Sequence, residues 1–350
     1  GSRLDATIGA DKTCYTATLS LHERKEGELI ARGFYDTHSQ EYALNARADS
    51  LPLHHFLPLS PLGHLTAQAH LAGQGTDPFA STTRLTARAD IDSLLYAGKT
   101  IAGVKLNASM KEHRAQVTLE SLNPLLDMMA EANAHFVPDS LSATAVVDVR
   151  RADLYALQMA QVPLTASVRM EMRGESNLTD SHTTRGAITD MTLLTPQGDF
   201  KPKNLYVEAL TRPDTLYAQV QAGDLSLQAK GGNGLSALLG LADKLGTETA
   251  SQAELLANRS PLNLDGIKHL LPTLSLTLQA QKDNPLTNYL QYATNIGLGQ
   301  VDVRMEMSPT SGIQGEAFAY RLRTDSLELD TVRLTIATNR APSAEMPADE

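Results

Sequence analysis

The sequence has little of several residue types. Trp is absent from its 350 residues, aromatic residues make up only 5% of them, and Cys14 is the single cysteine. A lone cysteine excludes an intramolecular disulfide and the zinc sites that are built from several cysteines. Because large rings are scarce, the residues that supply apolar surface are mainly Ala, Leu, Val and Met. With 42% hydrophobic and 20% charged residues, the composition is nevertheless that of a folded chain.

Positive charge is scarce as well. The chain carries 30 Lys and Arg against 40 Asp and Glu, a net charge of -10, and its basic residues form no run. A broad nucleic-acid surface needs clustered cations that displace counterions from the phosphates. We therefore expect no nucleic-acid partner.

Long apolar runs are missing too. No segment approaches the roughly 20 apolar residues that cross a bilayer, and the opening Gly1–Asp5 lacks the basic and apolar regions of a signal peptide. We interpret residues 1–2 as a cloning scar and residues 3–338 as one continuous folded segment of a longer protein. The Pro-containing acidic stretch 339–350 is predicted to be a disordered tail or linker.

One glycine motif matches a relaxed dinucleotide-binding fingerprint. Gly232-Asn233-Gly234 follows a strand-like segment and precedes a helix-like one. The fingerprint requires a buried parallel strand before it, whereas here Ser226 and Gln228 alternate with leucines. We predict a half-exposed strand followed by a turn into a helix, and no cofactor.

Metal and catalytic patterns are weak. His54 and His55 are adjacent, but their partners would be the distant His64, His70 or His113, and no HExxH motif is present. We interpret these as surface histidines and predict no metal site.

Catalysis has no anchor in the sequence either. No Ser occupies a Gly-x-Ser-x-Gly elbow. Asp90 and Asp92 lie two apart on a predicted strand, a spacing that we interpret as solvent-facing charges. We expect the chain not to be an enzyme.

The strongest pattern present is period-two alternation of apolar and polar residues. Leu65, Ala67, Ala69 and Leu71, for example, alternate with Thr66, Gln68 and His70. Similar segments recur roughly every ten to twelve residues, with Gly, Asn, Asp or Pro between them, and predict about 20 to 25 antiparallel strands with one apolar face.

The pentapeptide VRMEM occurs twice in this pattern, at Val168–Met172 and Val303–Met307. As a strand, the first copy places Val168, Met170 and Met172 on one face and Arg169 and Glu171 on the other. The sequence thus repeats one wall element, and we predict that its methionines face a groove.

Four short helices are predicted to interrupt the strands, at about 123–136, 235–256, 265–271 and 288–296. The first has Pro124 in its first turn and apolar residues at helical spacing.

Internal repeats organise the chain. Ala48–Pro58, Ala152–Pro163 and, more weakly, Leu264–Pro272 each combine an Asp-led turn or helix with a Pro and a following strand. Such a unit suits an elongated sheet that grows by adding strands and curls with its apolar side inward. Periodicity alone favours a different arrangement, in which the apolar faces form the core of a β-sandwich.

These phrases, together with Gly198–Leu239 and the KDNPLTNYL of Lys282–Leu290, resemble the TamB family of the Gram-negative envelope, within the wider AsmA-like group. The resemblance spans most of the chain. It implies a mainly β fold, an elongated curled antiparallel sheet called a β-taco, with an apolar groove and a few short amphipathic helices.

The resemblance also implies a function. Members are regarded as periplasmic bridges that transport phospholipid between the inner and outer membranes and support outer-membrane protein assembly. The implied partners are acyl-chain lipids, an outer-membrane barrel protein of the TamA type, and the inner membrane through an N-terminal anchor outside this segment.

The family offers no catalytic residues to transfer, so the predicted site is the lining of the groove. Its predicted members are Leu65, Ala67, Ala69, Leu71, Val104, Leu106, Val168, Met170, Met172, Leu274, Leu276, Leu278, Val303, Met305 and Met307. Two alternatives remain: a scaffold that templates barrel strands by β-augmentation without carrying lipid, and a secreted β-solenoid acting on polysaccharide.

Overall fold

The computed structural model describes residues 2–23, 27–196, 198–257, 264–285, 287–288, 290, 296–324 and 327–338. Of residues 2, 253–257 and 264–266 only the backbone is described. The described part is mainly β, with 20 strands in an antiparallel sheet and two α-helices, which confirms the predicted fold class. The predicted tail, 339–350, lies outside the described residues.

Contacts divide the chain into two compact units, which are described separately. Unit 1 comprises Gly1–Arg173 and Ile188–Lys201, and unit 2 comprises Gly174–Ala187 and Pro202–Glu350. The points of division fall within or beside the strands β11 (Thr165–Ser176), β12 (His182–Thr195) and β13 (Gly198–Phe200).

Besides its parts of β11, β12 and β13, unit 1 contains ten strands that follow one another as hairpins, each paired antiparallel with the next. The strands are β1 (Ser2–Asp11), β2 (Cys14–Glu23), β3 (Gly27–Asp36), β4 (Glu41–Pro52), β5 (Leu62–Gln74), β6 (Arg84–Tyr96), β7 (Lys99–Lys111), β8 (Arg114–Asn123), β9 (Leu126–Val137) and β10 (Ser140–Asp153). A short 3-10 helix, Leu53–His55, precedes β5.

Unit 2 contains seven strands of the same kind and both helices. The elements are β14 (Leu205–Arg212), β15 (Thr215–Ala222), β16 (Leu225–Gly231), α1 (Leu235–Ala257), α2 (Leu264–His269), β17 (Leu274–Ala280), β18 (Gln300–Ser308), β19 (Gly312–Arg323) and β20 (Glu328–Ala337). Consecutive strands again pair antiparallel, including β16 with β17 across the helical segment.

The helix predicted at 123–136 is wrong, because this segment forms β9. Leu126 and Met128 begin an apolar alternation that continues through Ala130, Ala132 and Ala134, and this period of two outweighs a few apolar residues at helical spacing. Pro124 does not start a helix but occupies a turn, in which the backbone N–H of Leu125 donates to the Asn123 side chain over 2.9 Å.

The other helix predictions have different outcomes. α1 and α2 confirm the helices predicted at 235–256 and 265–271. Of the segment predicted at 288–296, residues 289 and 291–295 lie outside the described residues.

The Gly232–Gly234 segment is the predicted turn into a helix. Its preceding strand, β16, is antiparallel to both neighbours, unlike the parallel strand of a dinucleotide site. The backbone N–H of Leu235, at the start of α1, donates to Thr211 Oγ1 over 2.8 Å. Gly234 itself lies so close to β14 that a Cβ would come 2.1 Å from the Arg212 carbonyl oxygen, so glycine is required there for packing.

The repeated phrases are connections that lead into strands, as predicted. The first forms the 3-10 helix before β5, the second forms the turns between β10 and β11, and the third forms α2 before β17. In unit 1 two of these connections bring buried residues, Leu51 and Leu157, to the same end of the strands. The repeats therefore close one end of the sheet rather than line its face.

Candidate functional site: an open apolar sheet face

The strand registers of unit 1 place apolar side chains in continuous rows on one face, here called the apolar face. Each row crosses all ten strands from β1 to β10. One row is Ala6, Leu19, Ala31, Ala46, Ala69, Ala89, Leu106, Leu119, Ala130 and Val147; the next is Ile8, Ala17, Gly33, Leu44, Leu71, Ala87, Ala108, Val117, Ala132 and Ala145. No polar residue interrupts either row.

Of the nine predicted lining residues of unit 1, the six on β5 and β7 lie on this face. Ala69 is aligned with Leu106 through Ala89, and Ala67 with Val104 through Ile91. Leu65 and Leu71 continue the same face along β5. The strand registers therefore place these six residues on one apolar face, and their contact with lipid stays a prediction.

The two rows are not covered by a second layer within the part of the chain that the structure describes. None of their side chains is buried, and Ile8 is 79% and Leu44 41% exposed. In a β-sandwich, an opposing sheet would bury these positions. The apolar face is thus an open surface rather than the core of a sandwich.

At one end of the apolar face, the ends of the strands and their connections pack together and bury apolar side chains. The buried apolar side chains of unit 1 include Ala48, Leu51, Pro52, Ile101, Ala152 and Leu157, all at or beyond that end. Ser121 is fully buried there and its hydroxyl donates to the Leu126 carbonyl oxygen over 2.5 Å. This end supplies the compact packing that holds the open part in place.

The opposite end of the face carries three tyrosines side by side. Tyr15, Tyr35 and Tyr42 stand in one row on β2, β3 and β4. The next position, Gly73 on β5, leaves room for the ring of Tyr42, whose Cζ would lie 2.6 Å from a Cβ at that glycine. These residues border a hollow of about 370 Å³ with Ile8, Leu44 and Leu71.

Tyrosine suits such a border because its ring is apolar and its hydroxyl is polar. Sequence analysis missed the row, since only the hairpin registers bring the three rings together. Tyr35 and Tyr42 lie at equal distances in the sequence from the turn between β3 and β4. This symmetry could have indicated that the two residues pair.

Unit 2 has an apolar face of the same design over seven strands. One row is Val207, Val220, Leu227, Leu278, Val303, Ala317 and Leu334; the next is Ala209, Ala218, Ala229, Leu276, Met305, Gly315 and Ile336. None of these side chains is buried, and Leu334 is 56% exposed. The second VRMEM copy therefore lies on an open face.

The predicted lining residues of unit 2 meet as direct cross-strand pairs. Leu274 pairs with Met307, Leu276 with Met305, and Leu278 with Val303. Both methionines of this copy thus lie on the apolar face, and their contact with a groove stays a prediction.

The first VRMEM copy lies in β11. Val168 and Met170 are half-buried, Met172 is 56% exposed, and Arg169 donates to Glu171 on the alternate positions over 2.9 Å. The alternation of the strand is confirmed, and the contact of Met170 and Met172 with a groove stays a prediction.

The opposite face of each unit is polar and carries ordinary surface ion pairs. Arg88 donates two hydrogen bonds to Asp90, of 2.8 and 3.1 Å. The hydrogen bond from Arg88 lowers the pKa of the Asp90 carboxyl, and the charges of Arg88 and Lys105 add to the effect against the opposing influence of burial. Asp90 is thus held by an arginine on the same strand.

The histidines are closer together than the sequence indicates. The ring of His54 lies 4.3 Å from that of His55 and 5.7 Å from that of His64, measured between centroids. His55 also contacts Glu23, with 3.7 Å between Nδ1 and Oε2. Even so, no group of three or more His, Cys, Asp or Glu side chains among the described residues could hold a metal ion.

Within the described ranges, no helix is both long and apolar enough to cross a membrane. No family model matches the chain, and neither a curated protein nor a solved structure matches it.

Proposed function

We propose that the chain is a periplasmic segment of a TamB-like protein that shields phospholipid acyl chains on its apolar faces during transport between the inner and outer membranes, and that supports outer-membrane protein assembly. The observation that supports this proposal is that continuous rows of apolar side chains are left unburied in both units. A surface of this size without a covering layer is costly in water, and such patches commonly mark binding sites.

The dimensions of the face match an acyl chain. From Leu65 to Leu71, β5 presents four apolar positions over about 20 Å. One leaflet of a bilayer has a hydrocarbon depth of about 15 Å, so one strand length can cover an extended chain. Each methylene removed from water contributes about 0.8 kcal/mol.

The repetition of equivalent rows supports movement rather than fixed storage. Adjacent strands are about 4.8 Å apart, so the ten strands of unit 1 offer nearly identical positions over roughly 40 Å. Alanines leave space beside the leucines, and flexible methionines such as Met305 adapt to different chains. A lipid can therefore shift from strand to strand without losing its apolar contacts, while its headgroup stays at the tyrosine border.

The location and partners in this proposal rest on the family resemblance. A periplasmic bridge would connect to the inner membrane through an anchor in the longer protein and to an outer-membrane barrel protein of the TamA type. In this proposal the apolar faces bind and shield acyl chains, and no covalent bond is made or broken.

Lipid binding is directly testable. We expect the purified protein to carry phospholipid detectable by native mass spectrometry, and the delipidated protein to enhance the fluorescence of N-phenyl-naphthylamine. Added phospholipid should displace the probe, because both occupy the same apolar rows. Protein that carries no phospholipid and gives no probe signal would contradict the proposal.

The exposed apolar side chains of β1 favour a second candidate, strand templating by β-augmentation. Leu4 is 61% and Ile8 79% exposed, as expected of a strand on which a further strand can be added. A photo-crosslinking residue at Thr7 would then capture polypeptide, whereas one at Ala89 would capture lipid if the apolar face shields acyl chains. The two crosslinks distinguish the candidates.

A further inference from the structure

A row of basic side chains crosses the polar face of unit 1, on the side opposite to the proposed lipid surface. Arg84, Lys111, Arg114 and His135 stand directly opposite one another on β6, β7, β8 and β9. All four residues are exposed. Neighbouring strands are about 4.8 Å apart, so the row places the cationic groups of Arg84, Lys111 and Arg114 at that spacing over about 10 Å, with the imidazole of His135 one strand further.

This arrangement is unfavourable for the protein alone. Like charges at directly opposite strand positions destabilise a sheet. The chain has more acidic residues than basic ones, 40 against 30, so a shortage of acidic residues does not explain the unneutralised row. Among the described residues, Arg84, Arg114 and His135 have no ion-pair partner. Lys111 contacts Glu112 at 3.3 Å, but both side chains are largely exposed, and such pairs contribute little.

A polar hollow of about 480 Å³ adjoins the row. Besides Lys111, Arg114 and His135, it is lined by hydroxyl and amide side chains and by three alanines, namely Ser109, Gln116, Asn133, Ser142, Thr144, Ala115, Ala134 and Ala143. Apart from these alanines, no apolar side chain among the described residues lines it, so hydroxyl, amide and basic groups are the ones available to recognise a ligand.

A negative group lies beside the hollow, away from the basic row. Gln116 and Asn133 donate to the Glu131 carboxylate over 3.1 and 2.9 Å, which places this negative group on the side away from the basic row. An anionic ligand is therefore repelled from Glu131 and drawn to the strand ends, where Lys111 and Arg114 lie.

We propose that this basic row and hollow bind a small soluble ligand that carries two or more phosphate groups. Arginine donates through a planar fork that matches phosphate oxygens, and lysine adds a compact charge. One phosphate can bridge two neighbouring strands, so four basic side chains in register accommodate two phosphates. The ligand also removes the repulsion along the row.

The experiment is isothermal titration of the full chain with sodium tripolyphosphate at low and high salt. We expect binding that weakens with salt, because the contacts are between exposed charges. Arg114→Gln should weaken binding by at least about tenfold, since it removes the central fork. Arg304→Gln is the matched control: it makes the same charge change on β18 in unit 2 and should leave the affinity unchanged.

Several outcomes would overturn the inference. These are no binding of tripolyphosphate, an equal loss in Arg114→Gln and Arg304→Gln, or binding to vesicles of anionic phospholipid without binding to tripolyphosphate, which would indicate a membrane-docking surface. Because the row lies on the face opposite to the apolar rows, Arg114→Gln should not alter binding of N-phenyl-naphthylamine. The phosphate site and the lipid surface can therefore fail independently.

Discussion

An Ala69→Glu variant is expected to lose apolar-probe binding on the unit 1 face by at least about tenfold while its sheet remains folded. Ala69 lies in the middle of an apolar row, between Ala46 and Ala89, and is exposed. A carboxylate there stays hydrated in the empty protein but loses its water when an acyl chain covers it. Desolvating an unpaired charge costs several kcal/mol, more than the few methylene contacts at that position contribute.

The matched control is Gln68→Glu, which places the same charge on the neighbouring residue of β5 but on the polar face. Probe titration and thermal melting of both variants separate loss of the site from loss of the fold. Since unit 2 has its own apolar face, the single variant should retain part of the signal, and Ala69→Glu combined with Met305→Glu should remove most of the remainder. Equal losses in Ala69→Glu and Gln68→Glu would show that the apolar face does not bind the probe.

The faces of the sheet could be predicted from the sequence because alternation depends only on neighbouring residues. Once Leu65 to Leu71 form a strand, their alternate side chains must share one face. Segment 123–136 shows where this reasoning fails. Its first apolar residues also fit a helical period, and the alternation that continues from Leu126 to Ala134, together with the pairing of β9 with β8 and β10, selects the strand.

Features that depend on register could not be predicted in the same way. The tyrosine row and the basic row each join residues from different hairpins, and a shift of one position in any turn would separate them. Arg84 and Arg114 are 30 positions apart in the sequence, yet both stand beside Lys111. The sequence also could not show that the apolar face is uncovered, because the strands of a sandwich and of an open sheet have the same alternation of apolar and polar residues.

A hydrogen-bond network in unit 2 joins two segments that are distant in the sequence. The carboxylate of Asp224, in the turn between β15 and β16, accepts hydrogen bonds from the backbone N–H groups of Gln281 and Asp283, of 3.1 and 2.8 Å, and from the side-chain amide of Asn284, of 2.6 Å. Asn284 is fully buried, and its side-chain oxygen Oδ1 accepts a hydrogen bond from the backbone N–H of Thr287 over 3.0 Å. Gly223 permits this approach, because a Cβ there would lie 2.1 Å from the Asp283 carbonyl oxygen.

Asp224→Ala is expected to lower the free energy of unfolding of unit 2 by about 3 kcal/mol, because it leaves a buried amide and two backbone donors without their charged acceptor. For a unit of this size the melting temperature should fall by roughly 6 to 12 °C. Asp283→Asn is the control, since the carboxylate of Asp283 pairs at 2.8 Å with an exposed Lys203 and such a pair contributes at most about 1 kcal/mol. Similar shifts in the two variants, measured by calorimetry, would contradict a special role for Asp224.

The same carboxylate makes unit 2 sensitive to acid. Burial, the largest single influence on Asp224, raises its pKa, but the hydrogen bonds from Asn284, Asp283, Gln281 and Lys282 together outweigh it, so the pKa lies below the ordinary value of 3.8. A carboxyl whose pKa is lower in the folded state binds its proton more readily when unfolded, so its stabilising contribution is complete above pH 3.8 and is lost as the pH falls through the folded pKa. We therefore expect the difference in melting temperature between the natural chain and Asp224→Ala to be constant near neutral pH and to shrink below pH 3.8. A difference that grows or stays constant under acid would show that the network does not depend on the charge of Asp224.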